Sequence, residues 1–308
     1  MRLESEGVLS IELVPCKGSA LPSFSAGAHI DLMLPNGLTR SYSLINGEHE
    51  RNRYVIGILD AAGGRGGSRW LHENVRIGTQ LRIRPPRNHF ALSEDGDSHI
   101  LIAGGIGITP FLSMIARLNV LQRRWTLHYC VRSPARAAFT DSLISLSAAG
   151  FGNVMNYVSE LHESPRFNVD AVVSAAPVQA HLYCCGPPRM LEAFQFATAS
   201  RNPAQVHREH FGSTGTPVNS RAFTIVLARS GERIAVPRGQ TVLEALLKAG
   251  VQVSHSCLEG ICGSCETRVL KGVPEHRDLV LSPQEQHANR TMMVCVSGCL
   301  SDELHLDL

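Results

Sequence analysis

Cys257-Leu258-Glu259-Gly260-Ile261-Cys262-Gly263-Ser264-Cys265 is the stretch from which the rest of the chain can be read. With Cys295 it forms the pattern Cys-x4-Cys-x2-Cys-x29-Cys, the plant-type spacing in which four thiolates hold a [2Fe–2S] cluster. Three ligands must come from one tightly wrapped loop. Gly260 and Gly263 permit the torsions and close approach that turn backbone amides toward the sulfurs. A structural zinc site also uses four cysteines, but it usually pairs them as two short knuckles. Cys299, just beyond Cys295, reads as a bystander thiol.

The flanks of this loop suit a small separate domain. Residues 223–228 and 233–236 read as a hairpin around Ser230-Gly231, and 241–249 as a helix ending at Gly250. Alternation of Leu304, Leu306 and Leu308 with polar residues predicts a terminal strand. Upstream, Gly212-Ser213-Thr214-Gly215-Thr216-Pro217 has the composition of a linker. Before it, compact apolar strands at 99–103, 125–130, 153–158 and 181–185 alternate with segments long enough for helices, including the amphipathic stretch 110–119. That rhythm predicts a doubly wound parallel sheet. Short runs at 8–14, 29–34, 39–44, 53–59 and 80–84, with Gly/Pro turns between them, predict a small antiparallel barrel, and a helix starts near Ser68.

Three domains follow: a barrel over 1–95, an α/β domain over 96–211, a linker at 212–221 and the cysteine domain over 222–308. A length of 308 residues with 44% hydrophobic content supports a core in each. The 29 basic and 27 acidic residues are nearly balanced and form no long run, which removes the electrostatic case for nucleic acid or an anionic membrane as partner. No apolar stretch has the length of a signal peptide or a membrane span, so a soluble, cytoplasmic protein is expected. Nine cysteines without an export signal, clustered toward the end, point to a redox or metal centre rather than a disulfide framework.

Three further motifs carry chemistry. In Gly104-Gly105-Ile106-Gly107-Ile108-Thr109-Pro110 a glycine turn joins strand to helix, where a backbone can approach a pyrophosphate, with Thr109 as a cap. Tight packing would explain such a turn equally well, and the proline departs from the G-x-G-x-x-G form. Tyr183-Cys184-Cys185-Gly186-Pro187-Pro188 ends another strand, where Cys185 could sit against a nicotinamide ring; two buried thiols in a plain turn are the bland alternative. Arg40-Ser41-Tyr42-Ser43-Leu44 and Gly64-Arg65-Gly66-Gly67-Ser68 offer a tyrosine face for a flat heteroaromatic ring and arginines beside a helix start for a phosphate. An alternating surface strand and an ordinary turn would look the same.

Taken together and in this order, these motifs resemble the phthalate dioxygenase reductase family, most of all its vanillate demethylase reductases. The likeness runs from Ser25-Ala26-Gly27-Ala28-His29-Ile30-Asp31 to Leu306-Asp307-Leu308. It implies an antiparallel FMN-binding β-barrel, a doubly wound NAD domain and a C-terminal plant-type ferredoxin domain of β-grasp form. Carried over, Arg40, Ser41, Tyr42 and Ser43 would hold the flavin, with Ser43 near its N5. Arg65, Gly66, Gly67 and Ser68 would bind the FMN phosphate, and Gly105, Gly107 and Thr109 the dinucleotide. Cys185, with Gly186 and Pro187, would lie along the hydride path, and Phe211 would cover the flavin ring. Cys257, Cys262, Cys265 and Cys295 would ligate iron.

The implied activity is that of a monomeric reductase that takes electrons from NADH and passes them through FMN and the cluster to a Rieske-type oxygenase or demethylase. Two departures stand out. The N-terminus is shorter than the family pattern, so either a clipped first barrel strand or a misassigned start is expected. Arg132 replaces an acidic residue that would select NADH, and an arginine there could meet a 2′-phosphate. Rival readings are an FAD-containing NAD(P)H oxidase, for which no separate adenine motif is found, a non-catalytic redox sensor, and a zinc-stapled binding module, which would be colourless.

Overall fold

The computed structural model describes all residues except 17, 19, 62–65, 212–218, 220, 256, 257 and 259. The chain divides into two units, Met1–Phe211 and Gly212–Leu308.

In the first unit, strands β1 (Arg2–Ser5), β2 (Val8–Leu13), β3 (His29–Met33), β4 (Thr39–Ser43), β5 (Tyr54–Leu59) and β6 (Arg82–Ile83) build two antiparallel sheets, ordered β1-β2-β5 and β4-β3-β6. Their inward residues, among them Ile11, Ile30, Leu32, Ile56 and Ile58, share one core with Leu71 of helix α1 (Gly67–Asn74). Each such side chain stabilises the fold by about 1.5–3 kcal/mol on burial. The expected barrel is therefore two sheets over a common core, linked by a Leu44–Ile56 bridge, and no closed ring of ladders is found among the described residues. Asn46 supplies the physical reason. After Ile45 N donates to Val55 O, the Asn46 side chain accepts from Val55 N at 2.9 Å and donates to Arg53 O, taking groups a continuing ladder would need.

From Ser98 onward the period changes. The elements β7 (Ser98–Gly104), α2 (Thr109–Val120), β8 (Arg124–Val131), α3 (Thr140–Ser147), β9 (Gly152–Val158), α4 (Val169–Ala175), β10 (His181–Gly186), α5 (Pro188–Ala197) and β11 (Val206–His210) follow in turn. The five strands are parallel in the order β11-β10-β7-β8-β9. Leu101, Leu127, Tyr183 and Cys185 pack with Phe111 and Met114 of α2 and Leu143 of α3. Their strand neighbours Ile100, Ile102, Leu182 and Cys184 pack with Val173 of α4 and Phe194 of α5. Helices thus cover both faces, and the central strands β7 and β10 read as continuous apolar runs for that reason. Val8, Ala26 and Phe90 join the first of these cores, which fuses the antiparallel sheets and the parallel sheet into one unit. The chain winds from β7 toward β8 on one side and returns as β10 on the other, so the crevice at the ends of β7 and β10 is a switch point.

The second unit contains β12 (Phe223–Leu227), β13 (Arg233–Val236), α6 (Val242–Lys248), β14 (Glu266–Lys271), β15 (Pro274–Glu275), α7 (Pro283–Ala288), β16 (Thr291–Met293), β17 (Gly298–Cys299) and β18 (Glu303–Leu306). A mixed sheet runs β13-β12-β18-β14-β16, with β12 and β18 parallel, and β15 pairs with β17. Val242 and Leu246 of α6 bury against Ile225, Leu304 and Leu306 in the β-grasp arrangement. A reciprocal Thr241–Glu244 capping box starts α6.

Candidate active site

The glycine turn after β7 is short because the turn after β10 leaves it no room. A Cβ on Gly107 would lie 2.2 Å from the Cys185 carbonyl oxygen, and one on Gly104 would lie 2.5 Å from Pro187 Cδ. Gly105 adopts φ 55, a left-handed torsion that favours glycine. Thr109 differs from expectation. It stands inside α2 rather than capping it, is buried, and donates its hydroxyl to Ile106 O at 3.0 Å. The hydroxyl completes the turn instead of waiting for an amide of the helix.

Above these two turns lies a cavity of about 870 Å³. Gly105, Gly107, Gly186, Pro187 and Phe211 all line it, so five residues singled out in the sequence converge. Cys185 is fully buried beneath them, and burial, first among its causes, pushes its thiol well above the ordinary range. It is a neutral packing group and not a thiolate nucleophile. Its neighbour across the β10–β11 register is Glu209, which sequence reasoning passed over. Burial pushes the Glu209 carboxyl up to about 8, and its Oε2 is buried with no hydrogen-bond partner among the described residues. The only sequence signal was an acid at an inward position of a strand, two residues before Phe211. Arg136 and Arg166, also unforeseen, line the same cavity.

The Arg-Ser-Tyr-Ser motif forms β4. Ser43 is buried, and its Oγ has no hydrogen-bond partner among the described residues. Ser41 is committed elsewhere: it donates to Asp31 Oδ1 at 2.7 Å, beside the Asp31–Arg87 ion pair. Half-buried Tyr42 packs on the sheet core. Arg40 lies over the start of α1, so close that a Cβ on Gly67 would be 2.7 Å from its Nε. Gly66, at φ 83, opens that helix without a side-chain cap, and Ser68 Oγ accepts from Ala61 N at 3.3 Å. A guanidinium beside uncapped helix amides is a cradle for a phosphate. Arg65 lies outside the described residues.

In the second unit the cluster loop is shaped by backbone. Leu258, Gly260 and Gly263 have φ of 60, 68 and 69. A Cβ on Gly260 would meet Val296 Cγ2 at 2.6 Å. Pairing of β14 with β16, Glu266 opposite Met293, brings Cys265 and Cys295 together from distant parts of the sequence. Hydrogen bonding from Cys295 holds the Cys265 thiol below its ordinary value. Cys262, Cys265 and Cys295 are all buried, and Cys262 Sγ lies 3.3 Å from Ser264 Oγ. A close pair of buried thiols, with a third buried cysteine on the same loop, is chemistry that fits a sulfur-ligated [2Fe–2S] centre. Cys257 lies outside the described residues. Cys299 is a bystander on β17, donating to Ser301 O at 3.1 Å.

A nicotinamide-nucleotide oxidoreductase carrying a ferredoxin-type iron–sulfur module is the class this fold and these sites define. The oxidoreductase NAD-binding domain family matches residues 101–195, and the 2Fe-2S iron-sulfur cluster binding domain family matches 225–299. Phenoxybenzoate dioxygenase subunit beta of Ectopseudomonas oleovorans is 49% identical over 99% of this chain and 94% of its own length. Vanillate O-demethylase oxidoreductase of Pseudomonas sp. strain HR199 is 38% identical over 100% of this chain and 98% of its own. Among solved structures, phthalate dioxygenase reductase superposes with a TM-score of 0.73 at 38% identity, covering 99% of this chain and 95% of that one. The chain belongs to the phthalate dioxygenase reductase family. It is an oxygenase reductase component that moves electrons from NAD(H) through a flavin to a [2Fe–2S] cluster.

Proposed function

We propose that this reductase takes its electrons from NADH in the cavity above β7 and β10, holds FMN as its flavin, and supplies a Rieske-type terminal oxygenase or demethylase. We further propose that it works as a cytoplasmic monomer with a flavin domain over 1–95, a nucleotide domain over 96–211 and a ferredoxin domain over 222–308. No helix among the described residues is long and apolar enough to cross a membrane. The observation that carries the reading is the convergence of Gly105, Gly107, Gly186, Pro187 and Phe211 around one cavity, with Cys185 beneath its floor.

A bound flavin accepts two electrons as hydride and releases them singly, and a [2Fe–2S] cluster carries one at a time. The side chains position and tune. Ser43 offers its unpaired hydroxyl to the ring edge, Tyr42 an aromatic face, and Phe211 a cover. Arg40, Gly66, Gly67 and Ser68, with Arg65, take the phosphate, which suits FMN, since the sequence holds no separate adenine motif. Cys185 and Glu209, paired across β10 and β11, stay neutral at pH 7 because burial disfavours their charged forms. Cys257, Cys262, Cys265 and Cys295 hold the cluster.

Cys262→Ser tests the division of labour. The variant should lose the visible iron–sulfur absorption yet still reduce ferricyanide with NADH. Loss of both activities with the fold and flavin intact would contradict the reading. Chromatography of the extracted flavin decides the cofactor: FMN is expected, and FAD would overturn that part.

A further inference from the structure

Asp278, in the loop between β15 and α7, carries a fully buried carboxylate that the proposed function leaves unused. Taking a carboxylate out of water is costly unless hydrogen bonds replace the water. Here they do. Oδ2 accepts from Leu281 N at 2.9 Å and from Val280 N at 3.2 Å, and Oδ1 accepts from Ser297 Oγ at 3.4 Å. Both oxygens thus serve as acceptors, the bonding that suits an ionised carboxylate.

These bonds join two stretches that carry cysteines. On one side, Leu279 N donates at 2.9 Å to the carbonyl of Gly260, two residues before Cys262. Gly260 lies so close that a Cβ there would be 3.2 Å from Asp278 Cα and 2.6 Å from Val296 Cγ2. On the other side, buried Ser297 follows Cys295 by two residues. Its hydroxyl accepts from Arg277 N at 3.3 Å while donating to Asp278, so it is held from both directions. Residues 277–281 therefore bracket the turn that leads into Cys262 and the turn that leaves Cys295. His276 faces the same carboxylate, with Nδ1 3.6 Å from Oδ1, beyond hydrogen-bond reach.

The surroundings give the charge its weight. Leu281 and Val296 belong to the same apolar core as Cys265 and Cys295, so water screens the carboxylate little. A [2Fe–2S] cluster gains negative charge on reduction, and its potential follows nearby charge and the orientation of its ligands. We propose that Asp278 is a positioning residue of the electron-transfer centre: it clamps the two cysteine-bearing turns together, and its charge holds the cluster's reduction potential down. This rests on the reading that Cys262, Cys265 and Cys295 ligate the cluster.

Redox titration of the full holoprotein, followed by the electron paramagnetic resonance of the reduced cluster, reads the charge apart from turnover. Asp278→Asn keeps the shape and an oxygen for the amides of Val280 and Leu281, so it deletes the charge and spares the bracket. Its cluster should take up the electron about tenfold more favourably, a shift of about 59 mV upward for a one-electron couple, with iron content and circular dichroism unchanged. Ser297→Ala strips a donor from the carboxylate and should move the potential the opposite way. It should also release iron to a chelator about tenfold faster, as the loss of a hydrogen bond to a charged group implies, and Ser297→Thr should restore the slower rate. A potential that moves in neither variant, or upward in both, would overturn the tuning. An unchanged release rate in Ser297→Ala would overturn the clamp. Cys262→Ser protein that keeps its cluster would instead overturn the ligand reading, and the role of Asp278 with it.

Discussion

Replacing Glu209 by glutamine should make the first unit less sensitive to rising pH. The folded chain holds this carboxyl at about 8 against an ordinary 4.5, because burial penalises the charged form. Across that window the folded state keeps a proton that the unfolded state releases. Stability is therefore complete below 4.5 and falls as pH rises toward 8, by about 1.4 kcal/mol per pH unit. At pH 7 the accumulated cost is about 3 kcal/mol, a large fraction of the 5–15 kcal/mol typical of a domain. Glutamine keeps the shape and cannot ionise, so the variant should match the wild type at acid pH and exceed it by about 3 kcal/mol at neutrality. Urea unfolding followed by tryptophan fluorescence isolates the relevant unit, since Trp70 and Trp125 are the only tryptophans and both lie within Met1–Phe211. Nearby His207 and His210, which burial depresses to about 4, titrate in both proteins and cancel in the difference. A difference that stays flat from pH 4.5 to 8 would refute the assignment of Glu209 as a buried neutral acid.

Gly107→Ala places a methyl 2.2 Å from the Cys185 carbonyl oxygen; moving the turn costs about 1–3 kcal/mol, so KM for the nucleotide should rise about tenfold, and an unchanged KM would dismiss the close approach. Arg40→Ala should weaken flavin binding by about tenfold or more in a fluorescence titration, since it removes a charge-assisted phosphate contact. Phe111→Ala empties a fully buried position under the glycine turn and should cost about 3–5 kcal/mol in denaturant unfolding. His207 stacks on Tyr183 at 4.2 Å, and burial lowers it from 6.5 to about 4, so its contribution is complete above 6.5 and lost as pH falls toward 4. His207→Phe should keep the stack and abolish that loss, as an acid titration of unfolding would register.

The central parallel strands β7 and β10 and the helix over Val242–Lys248 were legible because each is a strong local pattern: a buried apolar run, or a capping box followed by inward leucines. What escaped was set by pairing at a distance. β11, with the sequence Val-His-Arg-Glu-His, carries no apolar alternation and forms only because β10 offers a parallel edge. β14 and β16 were likewise invisible, although they are what brings Cys265 to Cys295. The site shows the same division. Glycines, Ser43 and the cysteines announced themselves through spacing, whereas Glu209 becomes noticeable only once β11 lies beside Cys185 and its Oε2 is buried. Ser41 shows the converse: it belongs to the motif by sequence, but its hydroxyl is spent on Asp31.

The division of the chain at Phe211 follows from the two kinds of electron transfer this family performs. Hydride moves as an atom, so donor and acceptor must be held about 3–3.5 Å apart with little freedom. That demand explains why Val8, Ala26 and Phe90 from the antiparallel sheets share a core with Phe111 and Tyr183 of the nucleotide half: a common core leaves the two halves no hinge. A single electron needs no shared atom in flight, and its carrier must also meet an outside acceptor. The cysteine-bearing half accordingly has a core of its own, built from Ile225, Leu246, Met292 and Leu304. Gly212-Ser213-Thr214-Gly215-Thr216-Pro217 leads into it, a composition that supplies no apolar side chain to fuse the two cores. Shortening this segment should therefore leave NADH–ferricyanide activity intact and slow only electron delivery to the oxygenase, measured by stopped-flow absorbance with both proteins present. Equal slowing of both steps would mean that the halves act as one body and that the reasoning from the separate cores is wrong.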